Sequence, residues 1–349
     1  MGEGGGQILR TALALSCLLG EAFEINNIRL GRSQPGLKPQ HSAAIRAAGQ
    51  ISSGKIEGNK VGSTAVTFQP GKVDPGTYHF DVGTAGSTTL VLHTVYLPLT
   101  MAGDDSRLKI EGGTHVPWSP PFEHSDRVWC PSLKQVGVDL RLSLLVAGFY
   151  PRGGGRIDAK IQNCEKIAPL NILERGRLKS LTVIGGVANL DDRIADRMIR
   201  ILKHRAKEIG INGKTFKSEI FRAPCHNQGA YTFIQVDFEN VRAGFIGLGE
   251  PGKRAEIVAG EAWEEVLTYL KASAPVEQHL ADQLLLPLSI AEGPSEFRTT
   301  KVTSHLQTNA KIIEMFGAAK IEIEGAEGSE GRVSVKPSGK SVFGTKSED

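Results

Sequence analysis

Met1-Gly2-Glu3-Gly4-Gly5-Gly6-Gln7-Ile8-Leu9-Arg10-Thr11 leads without a break into an apolar run that ends at Leu18-Leu19. A backbone carrying several glycines can approach a ligand closely, and glycine reaches positive φ without steric cost. Residues 8–19 read as an apolar helix whose first-turn N–H groups would face whatever the glycines contact. Glu3 and Arg10 bracket the run. One is suited to a hard cation and the other to a phosphate oxygen. Taken alone, the same residues are equally consistent with a tight turn packed beneath a core helix.

Outward from this helix, one pattern recurs at a spacing of roughly 80 residues, the mark of an internal repeat. The first unit reads as a helix over 6–19, a strand over 23–30, a helix over 39–52 and a hairpin ending near Gln69. The second has an alternating strand over 78–82, a helix over 87–101, a strand over 108–111, a helix over 124–136 and a hairpin through 139–161. The third has a helix over 277–290, a strand approaching His305, a helix over 308–316 with Thr308 as its N-cap, and strands over 319–323 and 332–336. Residues 179–272 break the rhythm with a strand (180–184), a basic helix (192–209), an alternating strand (230–238) and an acidic helix (254–270). The expected organisation is therefore a discontinuous three-unit domain (1–178 and 273–337), a small inserted α/β domain (179–272) and a disordered polar tail (338–349).

Composition narrows the class. With 349 residues, 40% hydrophobic and 23% charged, the chain reads as an ordinary soluble globular protein of more than one domain. A net charge of +3 is too small for a global field, so a polyanion site must be a local patch. Cys17, Cys130, Cys164 and Cys225 form no CxxC pair and no secretory signal precedes them, which predicts reduced thiols and a cytoplasmic location. No run approaches the ~20 apolar residues of a membrane span. His115, His124 and Cys130 have no zinc-site spacing. Gly247-Leu248-Gly249-Glu250-Pro251-Gly252-Lys253 mimics a phosphate-binding loop, but Arg254 stands where Ser or Thr should bind Mg²⁺ and Pro251 removes an N–H from the cradle.

Two further clusters carry chemistry. Arg29 to His41 holds three basic residues, a Pro35-Gly36 turn and a Gln40-His41 pair, and Thr303-Ser304-His305-Leu306-Gln307-Thr308-Asn309 precedes a helical run. With the opening segment, and with Gly112-Gly113-Thr114-His115-Val116, Phe149-Tyr150-Pro151-Arg152-Gly153-Gly154-Gly155 and His279-Leu280-Ala281-Asp282-Gln283, they occur in the order of one family. From Met1 to about Lys336 the chain resembles the RNA 3′-terminal phosphate cyclases. The resemblance implies three βαβαββ repeats, similar to the C-terminal domain of initiation factor three, with an inserted thioredoxin-like domain.

It also implies a reaction. His305 would attack the α-phosphorus of ATP, carry AMP to an RNA 3′-phosphate, and so allow the 2′-OH to close a 2′,3′-cyclic phosphate. The matching positions make Arg10, Arg29 and Arg32 phosphate ligands, Glu3 a ligand of Mg²⁺ (or Mn²⁺), and Gln40 and His41 neighbours of the phosphates. Taken alone, Gln40 and His41 read more often as capping residues of a helix start. For ATP the match points to His279, Leu280, Ala281, Asp282 and Gln283, with Pro120 against the base and His93 nearby.

Three departures stand out. His279 replaces a larger aromatic, His93 replaces a glutamine, and the first unit lacks the opening strand that usually precedes the glycine segment. The alternative is a non-catalytic relative serving as an RNA-binding or ribosome-assembly scaffold, and a more distant one is an enolpyruvyl transferase. On the insert helix, Arg193, Arg197, Arg200, Lys203, Arg205 and Lys207 would form a solvated face or an RNA contact, opposite a buried stripe of Ile194, Met198, Ile201 and Leu202. An exposed sheet edge in the first unit would favour a homodimer.

Overall fold

A computed structural model describes residues 5–342. Glu3 therefore lies outside the described residues. In chain order the elements begin with α1 (Gly6–Leu19), β1 (Phe23–Ile25), α2 (Pro39–Ser52), β2 (Lys55–Glu57) and β3 (Val66–Gln69). Next come β4 (Thr77–Asp81), α3 (Thr88–Thr100), β5 (Ser106–Gly112), α4 (Phe122–His124), a π-helical turn (Ser125–Trp129), α5 (Cys130–Gln135), β6 (Leu140–Val146), β7 (Gly155–Ile161) and β8 (Asn171–Ile172). Then follow β9 (Leu178–Ala188), α6 (Arg193–Glu208), β10 (Phe216–Arg222), β11 (Gly229–Phe238), β12 (Arg242–Leu248) and α7 (Ala255–Lys271). The chain closes with α8 (Gln278–Leu288), β13 (Ser295–Thr299), α9 (Ser304–Met315), β14 (Ala319–Glu324) and β15 (Gly331–Pro337). The fold is mixed α/β.

Four sheets result, in the orders β1-β3-β2, β4-β5-β7-β6, β8-β13-β15-β14 and β10-β9-β11-β12. In the second and third sheets the first pair is parallel and the other two are antiparallel. The first sheet shows the antiparallel part of that pattern among the described residues. Helix α1 sits at the centre, packed on α2, α3 and α9. Its residues from Thr11 to Leu19 are all buried, which its small side chains (Ala12, Ala14, Ser16, Cys17) allow by letting neighbours approach on every side. Placing α1 in the middle brings its N-terminal end, with Gln7 and Arg10, to the N-terminal ends of α8 and α9.

Four local expectations change. The strand expected over 23–30 stops at Ile25, because Asn27 and Arg29 adopt left-handed backbone (φ 59° and 54°) and turn the chain. The helix expected from His124 starts at Phe122 and widens to a π turn before Pro131, where the Cys130 N–H reaches back to the Ser125 carbonyl. The last helix begins at Ser304, since Thr303 rather than Thr308 is the N-cap, its Oγ1 accepting from the Leu306 N–H at 3.0 Å. Residues 338–342 of the expected disordered tail are tied down. Ser338 bonds to the backbone of Gly317 and Ala318, and Lys340 pairs with Glu21.

The sheet of β9–β12 is buried on both faces. Leu181, Val183, Ile234 and Val236 pack under α6 and α7, whereas Ile184, Tyr231 and Phe233 join the main core. The expected strands therefore run longer, and β10 and β12 complete a sheet that the one-faced pattern did not reveal. On α6 the fully buried stripe is Ala195, Met198, Leu202 and Ala206, with Ile194 and Ile201 only half-buried beside it. Its basic face is partly neutralised, since Arg193 pairs with Asp191, Arg197 with Glu256 and Arg205 with Glu264.

Candidate active site

A cavity of about 550 Å³ opens where α1, α3, α8 and α9 meet the sheet of β9–β12. Seven of the expected residues line it: Arg10, His93, Pro120, His279, Asp282, Gln283 and His305. His305 stands exposed in the first turn of α9. It also borders a second hollow of about 350 Å³ shared with His279 and Asp282.

The three converging helices are tied together by one buried side chain. Thr11 Oγ1 donates to Asn309 Oδ1 at 2.7 Å, and Asn309 Nδ2 donates to the Asp282 carbonyl at 3.2 Å. Glu277 fixes the start of α8, accepting from the His279 and Leu280 N–H groups at 2.7 and 2.6 Å and pairing with His124 at 3.0 Å. Burial works against its charge, but His124, His279 and the helix N–H groups outweigh it and hold the carboxyl below its usual range. Asp282 has less help: burial pushes it up to about 7, with His279 and Arg10 opposing and Glu277 reinforcing. Burial likewise lowers Arg10 to about 10, and Asp282 opposes that shift.

Charge also gathers around the start of α2. His41 is buried, with Nδ1 accepting from the Lys38 N–H at 3.1 Å. Burial and the charges of Arg10, Arg29 and Lys38 lower it to about 3, so its ring is neutral and Nε2 carries the hydrogen. A Cβ on Gly6 would lie 2.4 Å from that Nε2 and 2.8 Å from an Arg10 guanidinium nitrogen, so a side chain here would push both groups from their places. Gln40 Oε1 accepts from the Ser87 N–H at 3.4 Å, at the start of α3. The capping reading of His41 thus holds geometrically, and it leaves the Nε2 side of the ring facing Gly6 at the start of α1.

Other expected residues fall elsewhere. Arg29 donates to the carbonyls of Gln34 and Gly36 at 3.0 and 3.3 Å, closing its own loop. Arg32 is exposed on that loop and does not border the cavity. Leu280 and Ala281 face the core, fully buried. The zinc-like trio is dispersed, with His115 bonded to Thr114 and Glu123, and His124 to Glu277. Among the described residues no group of three or more His, Cys, Asp or Glu could hold a metal ion, and no helix is long and apolar enough to cross a membrane. All four cysteines are free. In the rejected glycine loop, Lys253 is engaged by the Leu248 carbonyl and Glu261.

The part of the cavity floor made by Trp129 and Tyr96 was not foreseen. His93 lies 4.0 Å from Trp129 between ring centroids, and Tyr96 lies 4.7 Å from Trp129. Six buried polar side-chain atoms lack a protein partner among the described residues. Five of them belong to cavity residues: His93 Nε2, Tyr96 Oη, His124 Nδ1, Trp129 Nε1 and Gln283 Oε1. Buried polar atoms are normally bonded, so this concentration marks a wall made for a polar, flat guest. Burial, with Arg10 and His124, lowers His93 to about 3 and keeps it neutral. Strands β11 and β12 and helix α7 contribute Phe233, Ile246 and Glu265, and burial raises the Glu265 carboxyl above its usual range.

The profile of the RNA 3′-terminal phosphate cyclases matches residues 1–323. The chain belongs to this family. Similar relatives named RNA 3′-terminal phosphate cyclase include proteins of Gloeothece citriformis (39% identical, 92% of this chain and 93% of that one), Methanopyrus kandleri (38%, 97% and 97%) and Ralstonia nicotianae (41%, 93% and 91%). A solved enolpyruvyl transferase, NikO of Streptomyces tendae, covers 96% of this chain and 64% of its own at 11% identity, with a TM-score of 0.28, and carries no argument for transferase chemistry. For a cyclase-family chain the missed residues had weak signals. Trp129 and Tyr96 read as core aromatics, and Phe233, Ile246 and Glu265 lie on elements whose docking no local pattern encodes.

Proposed function

We propose that this chain converts an RNA 3′-terminal phosphate into a 2′,3′-cyclic phosphodiester at the expense of ATP. The observation that carries the reading is His305, an exposed imidazole at a helix start, opening onto one cavity with Arg10, Asp282 and the unpartnered polar floor. A neutral imidazole is nucleophilic near pH 7. In the first step a His305 nitrogen bonds to the α-phosphorus, the bond to pyrophosphate breaks, and the ring proton is released. A 3′-phosphate oxygen of the RNA then attacks the same phosphorus and displaces the imidazole, leaving an RNA-pp-A anhydride. The 2′-OH loses its proton, attacks the inner phosphorus, and AMP departs.

The residues divide this work. Arg10 offsets charge on the phosphates, and the neutral His41 ring donates a hydrogen bond from Nε2–H rather than taking up a proton. Arg29 and Arg32 would serve from the loop beside α2. Asp282, titrating near neutrality, is placed to bind the nucleotide's hydroxyls or to take up a proton. Gln283, His93 and Pro120 would meet the base, with His279 beside them. Mg²⁺ would arrive on the triphosphate, for which one or two carboxylates suffice, Glu3 being the expected one.

The fold reading that accompanies this function is three βαβαββ units, the second and third sheets sharing one order of pairings. A thioredoxin-like insert would be spliced between β8 and α8, giving domains 1–178 with 273–337 and 179–272. The order β10-β9-β11-β12, with helices on one face, supports it. A scaffold would have no use for a nucleophile facing an arginine across a cavity.

The decisive experiment incubates the protein with Mg²⁺ and α-labelled ATP and separates it on a denaturing gel. An adduct stable to alkali and lost in acid is expected, the behaviour of a histidine phosphoramidate. Well-folded protein without adduct would remove the reading.

A further inference from the structure

Trp118 combines two unfavourable features at one position. Its φ of 63° places a bulky residue in the left-handed region, and its ring is 99% exposed. Large residues hold such a conformation only when their surroundings impose it, and functional sites are where that occurs. The loop imposes it here. Val116 is buried, Ser119 Oγ donates to the Val116 carbonyl at 3.1 Å, and the Pro120 carbonyl accepts from Thr89 Oγ1 at 2.7 Å. The two other tryptophans, Trp129 and Trp263, are buried in the ordinary way. Trp118 alone is held out rigidly, and it borders the cavity that contains His305.

We propose that Trp118 is a stacking platform for a base of the RNA strand, at or next to the 3′ end presented to His305. The inference rests on the cyclase reading, in which two nucleotides must meet at one imidazole. The inner wall of Trp129, Tyr96 and His93, with its unpartnered polar atoms, is equipped to take the base of the smaller nucleotide. An indole at the mouth, open to solvent on both faces, suits a strand that continues outward. Every base has a π face, so such a platform holds RNA without reading its sequence. A pre-set ring also spares the ordering cost of binding.

Because the other tryptophans are buried, Trp118 dominates the solvent-exposed part of the protein's fluorescence. A short RNA with a 3′-phosphate is expected to shield that emission from acrylamide, whereas ATP alone, whose base meets the wall of Trp129, leaves the acrylamide-accessible fraction unchanged. Trp118→Ala and Trp118→Gly should raise the KM for RNA roughly 5- to 150-fold, the range of one base–aromatic stack. Enzyme–AMP formation from ATP alone should stay near wild type, and Trp118→Phe should restore RNA binding. Glycine accepts φ 63° without strain, so that variant keeps the loop even if alanine disturbs it. A folded Trp118→Gly with unchanged RNA KM overturns the proposal, as does shielding of the acrylamide-accessible emission by ATP alone, which would make Trp118 a clamp on the ATP base. If wild-type protein forms no adduct, the cyclase reading itself fails and takes this proposal with it. An adduct with unaltered RNA KM in the variant defeats the proposal alone.

Discussion

His305 and Asp282 show how much of a side chain's chemistry depends on its neighbours. His305 is exposed at the start of α9, so His305→Ala should abolish the labelled adduct while circular dichroism and melting temperature stay at wild-type values. Adduct persisting in that variant would assign the nucleophile elsewhere. Asp282 titrates at about 7 in the folded chain, against ~3.9 for a free aspartate. The folded state therefore holds this proton more tightly than the unfolded state, and ionising Asp282 costs stability as pH rises from about 4 through 7. Asp282→Asn, measured by thermal melting without nucleotide, should be more stable than wild type at pH 8. The gap, at most about 4 kcal/mol at 1.36 kcal/mol per pKa unit, should close toward pH 4. A gap independent of pH would mean that Asp282 is not held in this environment.

Helix ends do the positioning. Glu277 caps α8 while anchoring His124, and Thr303 caps α9 two residues before His305. Thr303→Ala should cost about 1 kcal/mol in denaturant unfolding, and it should slow adduct formation because that first turn carries His305, the proposed nucleophile. Thr303→Ser, which retains the acceptor, should restore both. Full adenylylation in a destabilised Thr303→Ala would show that the cap serves stability only. The start of α1 depends on Gly6 in a comparable way, since any side chain there would displace His41 and Arg10.

Across the molecule, the sheet of β9–β12 and its helix α7 are part of the cavity rather than an appendage. Tyr231 on β11 donates to Glu123 on α4, a buried carboxylate also bonded to His115 at 2.8 Å. Tyr231→Phe would leave that carboxylate oxygen short of a donor, at a cost of about 1–3 kcal/mol. Since the same strand carries Phe233 into the cavity, the KM for ATP should rise as well. Unchanged KM with lowered stability would confine the link to folding. At the opposite extreme, Arg32→Ala beside α2 should reduce cyclisation more than Arg193→Ala, whose guanidinium is already paired with Asp191 on the insert surface. Equal losses would show that the division of labour between body and insert is misdrawn.

The residues alone determined where most helices lie, from apolar periodicity, and the family resemblance of their motifs singled out an imidazole at 305, a guanidinium at 10 and a carboxylate at 282. They did not reveal that Arg29 would spend its donors on its own loop, or that the helix carrying His305 would start at Ser304 with Thr303 as its cap. Nor did they show that Thr11 would bond to Asn309 across 298 positions. The cavity floor was hidden for the same reason. Trp129 and Tyr96 look like any core aromatics until α3 and the π turn are brought side by side. Propensity and side-chain chemistry are properties of short stretches, legible one residue at a time. Burial, the company of other charges and the shape of a cavity arise where distant elements pack, so the titration of Asp282 and the polar wall beside it were decided by the tertiary structure.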